Sequence, residues 1–239
     1  MRASKYEAKG MTLTTGVKGL DELLGGGVAR GVILQVYGPF ATGKTTFAMQ
    51  VGLLNEGKVA YVDTEGGFSP ERLKQMAESR GLDPEKALSK FIIFEPMDLN
   101  EQRRIISKLK TVVSDKFSLV VVDSLTAHYR AEGSRDHVEL AKQLQVLQWL
   151  ARKKNVAVIV VNQVYYDSNT NTLRPIAEHT LGYRTKDILR FEKFRVGVRL
   201  AVLERHRFRP EGGIVYFKIT DKGIEDVLKA KPENGEENI

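Results

Sequence analysis

Nine residues, GPFATGKTT from Gly38 to Thr46, restrict what this chain can fold into more than any other feature of it. They fit the spacing G-x-x-x-x-G-K followed by Ser or Thr. They lie between VILQVY (32 to 37), a run of strand formers, and KTTFAMQVGLL (44 to 54), a run of helix formers. A glycine-permitted loop between a strand and a helix can turn successive backbone N–H groups toward one point, and the helix behind it aims the positive end of its dipole at the same point. Phosphate oxygens require converging donors of that kind. Pro39 has no N–H, so Phe40, Ala41, Thr42, Gly43, Lys44 and Thr45 must supply the cradle, with Gly38 opening the loop and Thr46 closing it. Lys44 is spaced to reach the β- and γ-phosphates of a nucleoside triphosphate and the Thr45 hydroxyl to ligate Mg2+.

The rest of the chain repeats the strand-then-helix alternation. Near-continuous apolar runs recur at 32 to 38, 59 to 64, 91 to 95, 118 to 124 and 156 to 162, with helical patterns between them at about 43 to 55, 70 to 80, 99 to 115 and 136 to 154. Apolar runs without alternation are the mark of parallel strands covered on both faces, so the expected fold is α/β with a doubly wound, mostly parallel sheet. After residue 186 the pattern changes to DILRFEKF, VGVRLAVLERH and GIVYFKITDKGIEDV, which reads as consecutive antiparallel strands at one sheet edge.

Three further strand ends are polar. LVVVD ends in Asp123, placed to hold the metal through its water shell at the edge where α/β sheets bind ligands. VAYVDTEGG ends in Asp63 and Glu65; Glu65 is the candidate for positioning and deprotonating an attacking water. The same two acids also suit an ordinary loop before the helix that Ser69, Pro70 and Glu71 begin. VNQV places Gln163 after an apolar strand and before a polar loop, 165 to 175, where a neutral amide can bond a γ-phosphate without competing for metal.

With 239 residues, 42% of them hydrophobic, the chain can bury a core unaided, and the absence of Cys excludes a disulfide framework or thiol chemistry. No apolar run resembles a signal peptide or approaches the length of about 18 residues that a membrane span needs, so a cytoplasmic, nucleoid-associated protein without membrane contact is expected. The net charge of +7 favours polyanionic partners, and it is local. Arg184 to Arg209 holds nine Lys or Arg against three acids, an excess of six. One domain is expected over 1 to 228, with 229 to 239, which has almost nothing apolar to bury, a disordered tail.

Taken together, TTGVKGLDELLGGGVARG (14 to 31), VYGPFATGKTT, VDTEGGFSPERL, VVVDSLTAHYR, VNQV and RPIAEHTLGYRTKDILRFEK (174 to 193) closely resemble the core ATPase of the recombinase family that includes bacterial RecA and archaeal RadA. The resemblance implies a RecA-like phosphate-loop ATPase core, with ATP and Mg2+ as cofactors, Glu65 as the water-activating acid and Gln163 as the sensor of the γ-phosphate. It puts two DNA loops at about 128 to 137 and 165 to 175, making Arg130, Arg135, Tyr165, Tyr166, Arg174, Arg184 and Lys186 candidate contacts to DNA, single-stranded DNA above all. RFRPEGG (207 to 213) falls where family members cap a neighbour's nucleotide, so Arg209 and Pro210 are candidate interface residues of a homo-oligomer; a plain hairpin turn explains the segment equally well. Two departures from the family pattern are expected: the matching core starts almost at Met1, so the family's N-terminal helical domain and polymerisation segment are expected to be missing, and the second loop has only Arg174 as a cation. The layout therefore implies a weakly hydrolysing paralogue that assists a RadA-type recombinase. A KaiC-like signalling ATPase shares the opening and the phosphate loop but has two adjacent glutamates where this chain reads Asp-Thr-Glu-Gly. A GTPase would want Asn-Lys-x-Asp, which Thr185-Lys186-Asp187 does not provide. A partner-binding module with a structural nucleotide site is the remaining alternative.

Overall fold

A computed structural model describes residues 11 to 133 and 137 to 227; the expected tail at 229 to 239 lies outside the described residues. The chain opens with β1 (Thr12–Leu13), α1 (Lys18–Leu23) and β2 (Val28–Ala29), where β1 and β2 form a small antiparallel pair. The main alternation follows: β3 (Ile33–Tyr37), α2 (Lys44–Leu54), β4 (Lys58–Asp63), α3 (Pro70–Glu78), α4 (Pro84–Ser89), β5 (Phe91–Phe94), α5 (Leu99–Val112), β6 (Phe117–Asp123), α6 (Ala127–Ala131), α7 (His137–Lys154) and β7 (Ala157–Asn162). A hairpin of β8 (Val164–Asp167) and β9 (Thr172–Pro175), then α8 (Glu178–Arg184), lead into β10 (Asp187–Arg195), β11 (Val198–Arg205), β12 (Ile214–Thr220) and β13 (Gly223–Asp226).

Nine strands make one sheet in the order β13-β12-β11-β10-β3-β7-β6-β4-β5. The five strands read from apolar runs are parallel, as expected, and β11 to β13 extend the edge antiparallel. β10 differs from the sequence reading: it pairs parallel with β3 on one side and antiparallel with β11 on the other, so it belongs to core and extension at once. Its position explains Gly38. Arg190 pairs with Tyr37, and a Cβ on the next residue, Gly38, would lie 2.0 Å from the Phe191 carbonyl oxygen, at a φ of +148° that side chains rarely adopt.

Two apolar layers cover the sheet. On one face Phe47, Val51 and Met76 pack on Val36, Tyr61, Val121 and Phe191; on the other Ile106, Leu144 and Leu147 pack on Val62, Val120 and Val158. In α2, Phe47 through Leu53 are all buried, the pattern of a helix enclosed on every side rather than lying on a surface. Gln50 within it donates to the Thr15 and Ile224 carbonyls at 2.7 and 2.9 Å and accepts the Ile224 N–H at 2.7 Å, fastening the last strand to the helix behind the phosphate loop. The start of α3 is as read: Ser69 accepts the Arg72 N–H at 3.0 Å and Pro70 takes the first turn.

Register decides where the chemistry collects. Tyr37 is opposite Asn162 and Asp63 is opposite Asp123, so the carboxyl ends of β3, β7, β6 and β4 finish level along one sheet edge. Parallel pairing thus brings together residues separated by up to about half the chain.

Candidate nucleotide site at the carboxyl edge of the sheet

The phosphate loop is shaped by three left-handed residues, Gly38, Ala41 and Gly43, with φ of +148°, +59° and +97°. Among the described residues no carbonyl receives a backbone N–H from residues 40 to 46; the first α2 bond runs from the Phe47 N–H to the Gly43 carbonyl at 2.8 Å. A row of N–H groups at a helix start with no carbonyl of their own fits an anionic ligand. The Lys44 ammonium is half-buried and donates to the Gly38 and Pro39 carbonyls, each at 2.8 Å, bracing the loop from within. Burial lowers its pKa, opposed by Asp123 and Glu65 nearby. Phe40 at the loop tip is 82% exposed, with the Lys193 ammonium 4.1 Å from its ring centroid.

Asp123, only 5% exposed, accepts from the Thr45 hydroxyl at 2.7 Å and from the buried Tyr61 hydroxyl at 2.8 Å, both on Oδ2. The peptide that follows it is cis. Burial pushes the Asp123 carboxyl from 3.8 up to about 6, against the two hydroxyl donors, while Glu65 and Asp63 add to the rise. Among the described residues no group of three or more His, Cys, Asp or Glu could enclose a metal. A hydroxyl and one carboxylate suit Mg2+, which keeps most of its waters and takes oxygen from substrate phosphates.

The raised Asp123 carboxyl predicts a stability effect. Folded protein holds this proton more tightly than the unfolded chain, so the stabilisation is fully present below about pH 4 and is lost as pH climbs through about 6. The two-unit rise corresponds to about 3 kcal/mol. Asp123→Asn has no proton to lose; in metal-free protein its melting temperature relative to wild type is expected to climb between pH 4 and pH 8. A pH-independent difference would show that Asp123 is ionised throughout.

The structure separates the two acids of the DTEG segment. Asp63 is buried and accepts the backbone N–H groups of Glu65 at 3.2 Å, Gly67 at 3.1 Å and Phe68 at 2.8 Å, so it builds the loop. Glu65 is exposed, and its Oε1 accepts from Ser124 Oγ at 2.5 Å. The loop lies against the phosphate loop: a Cβ on Gly67 would be 3.8 Å from Thr45 Oγ1. Gln163 is half-buried beyond the β7 tip, and Arg130, which stands on the short helix α6 rather than in a loop as read from the sequence, donates to its Oε1 at 3.4 Å. Its neighbour Asn162 accepts from Thr126 at 2.6 Å and donates to the Ile176 carbonyl at 2.9 Å, tying together the segments after β6 and β9.

The candidate DNA residues divide. The segment read as a polar loop is a β-hairpin, with Tyr165 paired to Arg174 and the Tyr166 hydroxyl bonded to Asn171. Tyr165 and Tyr166 are exposed, but Arg174 is engaged: its guanidinium pairs with Asp167 at 3.1 Å and Glu178 at 3.3 Å. Both acids stand in the sequence, Asp167 inside the same segment and Glu178 four residues on, but Asp167 is brought to face Arg174 only once the hairpin forms. Arg135 lies outside the described residues. Arg184 and Lys186 precede β10 and line a cleft of about 740 Å³ with Gln148, Arg152, Tyr183 and Arg205. Arg209 and Pro210 are exposed in the turn after β11, where the Arg209 N–H donates to His206 Nδ1 at 3.2 Å. Sequence reasoning missed Tyr61, Ser124, Thr126 and Asn162, whose roles depend on cross-strand partners rather than on spacing.

A phosphate loop closing onto a buried helix, acids on the adjacent parallel strand tips and an antiparallel edge define the RecA-like fold. The chain belongs to the Rad51 family, whose model matches residues 7 to 227. It is 89% identical over 226 residues to the DNA repair and recombination protein RadB of Pyrococcus horikoshii, covering 95% of this chain and 99% of the relative. To the protein of the same name from Halobacterium salinarum it is 42% identical over 224 residues, covering 89% and 94%. A solved structure described as the RadB recombinase superposes with a TM-score of 0.85 at 65% identity, over 91% of this chain and 100% of that one.

Proposed function

We propose that this chain is a DNA repair and recombination protein that binds ATP with Mg2+, hydrolyses it slowly and contacts single-stranded DNA in a nucleotide-dependent way, assisting a RadA-type recombinase. The observation that carries the reading is the level edge of strand tips, which gathers Lys44, Thr45, Asp123, Glu65 and Gln163 around the phosphate loop. When bound, Mg2+ would neutralise charge on the β- and γ-phosphates. Lys44 would exchange its two loop carbonyls for phosphate oxygens, and Thr45 and Asp123 would hold the metal. Glu65 would take the proton from a water attacking the terminal phosphorus as the bond to the diphosphate breaks, giving ADP and inorganic phosphate. Gln163 would exchange Arg130 for the γ-phosphate, which frees a cation on α6 when nucleotide is present. An accessory role rather than strand exchange is supported by Arg174, whose charge is already paired within its own hairpin. The exposed turn with Arg209 and Pro210 is the proposed contact to a neighbouring copy. Turnover measured with ATP and with GTP, each with and without single-stranded DNA, tests the whole; DNA-independent binding without any turnover would favour a partner-binding module.

The DNA assignment has its own test. Binding of single-stranded DNA across a salt series is expected to follow a linear log–log dependence, dominated by phosphate contacts. Arg130→Ala should flatten the slope by roughly one unit or less. Alanine at both Tyr165 and Tyr166 should weaken binding by about 1 to 3 kcal/mol per stacked base without changing the slope. Arg174→Ala should do little, since its charge is internally paired. Wild-type affinity and slope in the first two would move the site to the basic segment from Arg184 to Arg209.

A further inference from the structure

Ser124 directly follows the metal-holding acid and has no solvent exposure. Its hydroxyl donates to Glu65 Oε1 at 2.5 Å. Its backbone is fixed on both sides: the Ser124 N–H donates to Thr64 Oγ1 at 2.8 Å, the Ser124 carbonyl accepts from the same hydroxyl at 2.7 Å, and the Thr64 N–H donates to the Asp123 carbonyl at 2.9 Å. The tips of β4 and β6 are therefore joined as one unit just where their chemical side chains emerge.

Glu65 has little else to hold it. It is exposed, and two glycines follow it; a Cβ at Gly66 would meet nothing within 4 Å. Among the described residues, Ser124 is the one side chain that hydrogen-bonds its carboxylate. A glutamate with a free side chain samples many rotamers, and ordering it costs entropy that a pre-placed donor has already met. A carboxylate has room for several donors, so the bond to Oε1 leaves Oε2 available to a water.

We propose that Ser124 is a positioning residue for Glu65: its buried hydroxyl holds the carboxylate in one orientation on the same strand tip that carries Asp123, so that base and metal-holding acid share one geometry. The proposal rests on the reading of Glu65 as the base of ATP hydrolysis. It assigns Ser124 no contact with substrate.

The test compares Ser124→Ala, Ser124→Cys and Ser124→Thr with Glu65→Gln and with the Glu65→Gln/Ser124→Ala pair. Losing one hydrogen bond to a charged group is expected to lower kcat about tenfold in the Ala and Cys variants, with KM and ATP affinity unchanged. The Thr variant keeps the hydroxyl and should recover most of the rate; it also serves if Ala perturbs folding. Because the effect passes through Glu65, adding Ser124→Ala to Glu65→Gln should change nothing further. In nucleotide-free protein, NMR order parameters of the Glu65 side chain should fall from the rigid to the flexible range in the Ala and Cys variants. Unchanged or faster turnover, an unaltered order parameter, or an equal fold-loss on the Glu65→Gln background would overturn the positioning role while leaving Glu65 as base. Wild-type turnover in Glu65→Gln alone would overturn both.

Discussion

Glu65→Gln is expected to bind ATP with near wild-type affinity and to hydrolyse it about 10² to 10⁴ times more slowly, the usual cost of removing a general base. The geometry makes this a clean substitution. Glu65 is exposed and closes no core contact, so its replacement leaves the fold in place. Glutamine keeps an oxygen to accept from Ser124 Oγ and loses only the charge and the basicity. Asp63→Asn is the informative control, since Asp63 accepts three backbone N–H groups and builds the loop rather than facing the ligand. It should lower stability and affinity together. Phosphate release in a single turnover at saturating ATP separates the two, and undiminished turnover in Glu65→Gln would reduce it to a loop acid.

How far the sequence carries the reader depends on the range of the interaction. The parallel core was legible because apolar runs without alternation report burial on both faces, and that property belongs to each strand alone. The turn from β3 into α2 was legible because glycines within the segment itself shape it. Asp63 and Glu65 could not be told apart from residue types, since what distinguishes them is a set of bonds back to residues 65 to 68 for one and a hydroxyl across the sheet for the other. Arg174 looked like an available cation for the same reason: Asp167 faces it only after β8 and β9 pair. The hairpin itself was obscured by composition, because YYDSNTNTLRP is polar on both faces and offers no alternation to read. β10 was misjudged as wholly antiparallel because its strand pattern cannot announce that β3, some 150 residues earlier, supplies its other partner.

Lys44→Ala is expected to abolish measurable ATP binding while the protein remains folded. The phosphate loop offers backbone N–H donors with no carbonyl of their own, but these are neutral dipoles, and Lys44 is the cation inside the loop. Charge-assisted hydrogen bonds contribute about 1.5 to 3 kcal/mol each. Losing two of them to phosphate oxygens corresponds to a drop in affinity on the order of 10² to 10⁴. The structure also shows a cost that the sequence did not: Lys44 bonds the Gly38 and Pro39 carbonyls, so alanine loosens the loop even without ligand. That part should be modest, because the Pro39 carbonyl still accepts from the Thr42 hydroxyl at 2.8 Å and α2 stays anchored by Phe47 packed edge-on against Phe191 at 5.5 Å. The measurement is a pair of melting curves with and without Mg2+ and ATP. Wild type should gain about 2.7 kcal/mol when ATP is at a hundred times its dissociation constant. The variant should melt slightly lower and show no gain. A folded Lys44→Ala protein stabilised by ATP as much as wild type would remove the phosphate loop from the nucleotide site, and with it the metal role of Thr45 and Asp123.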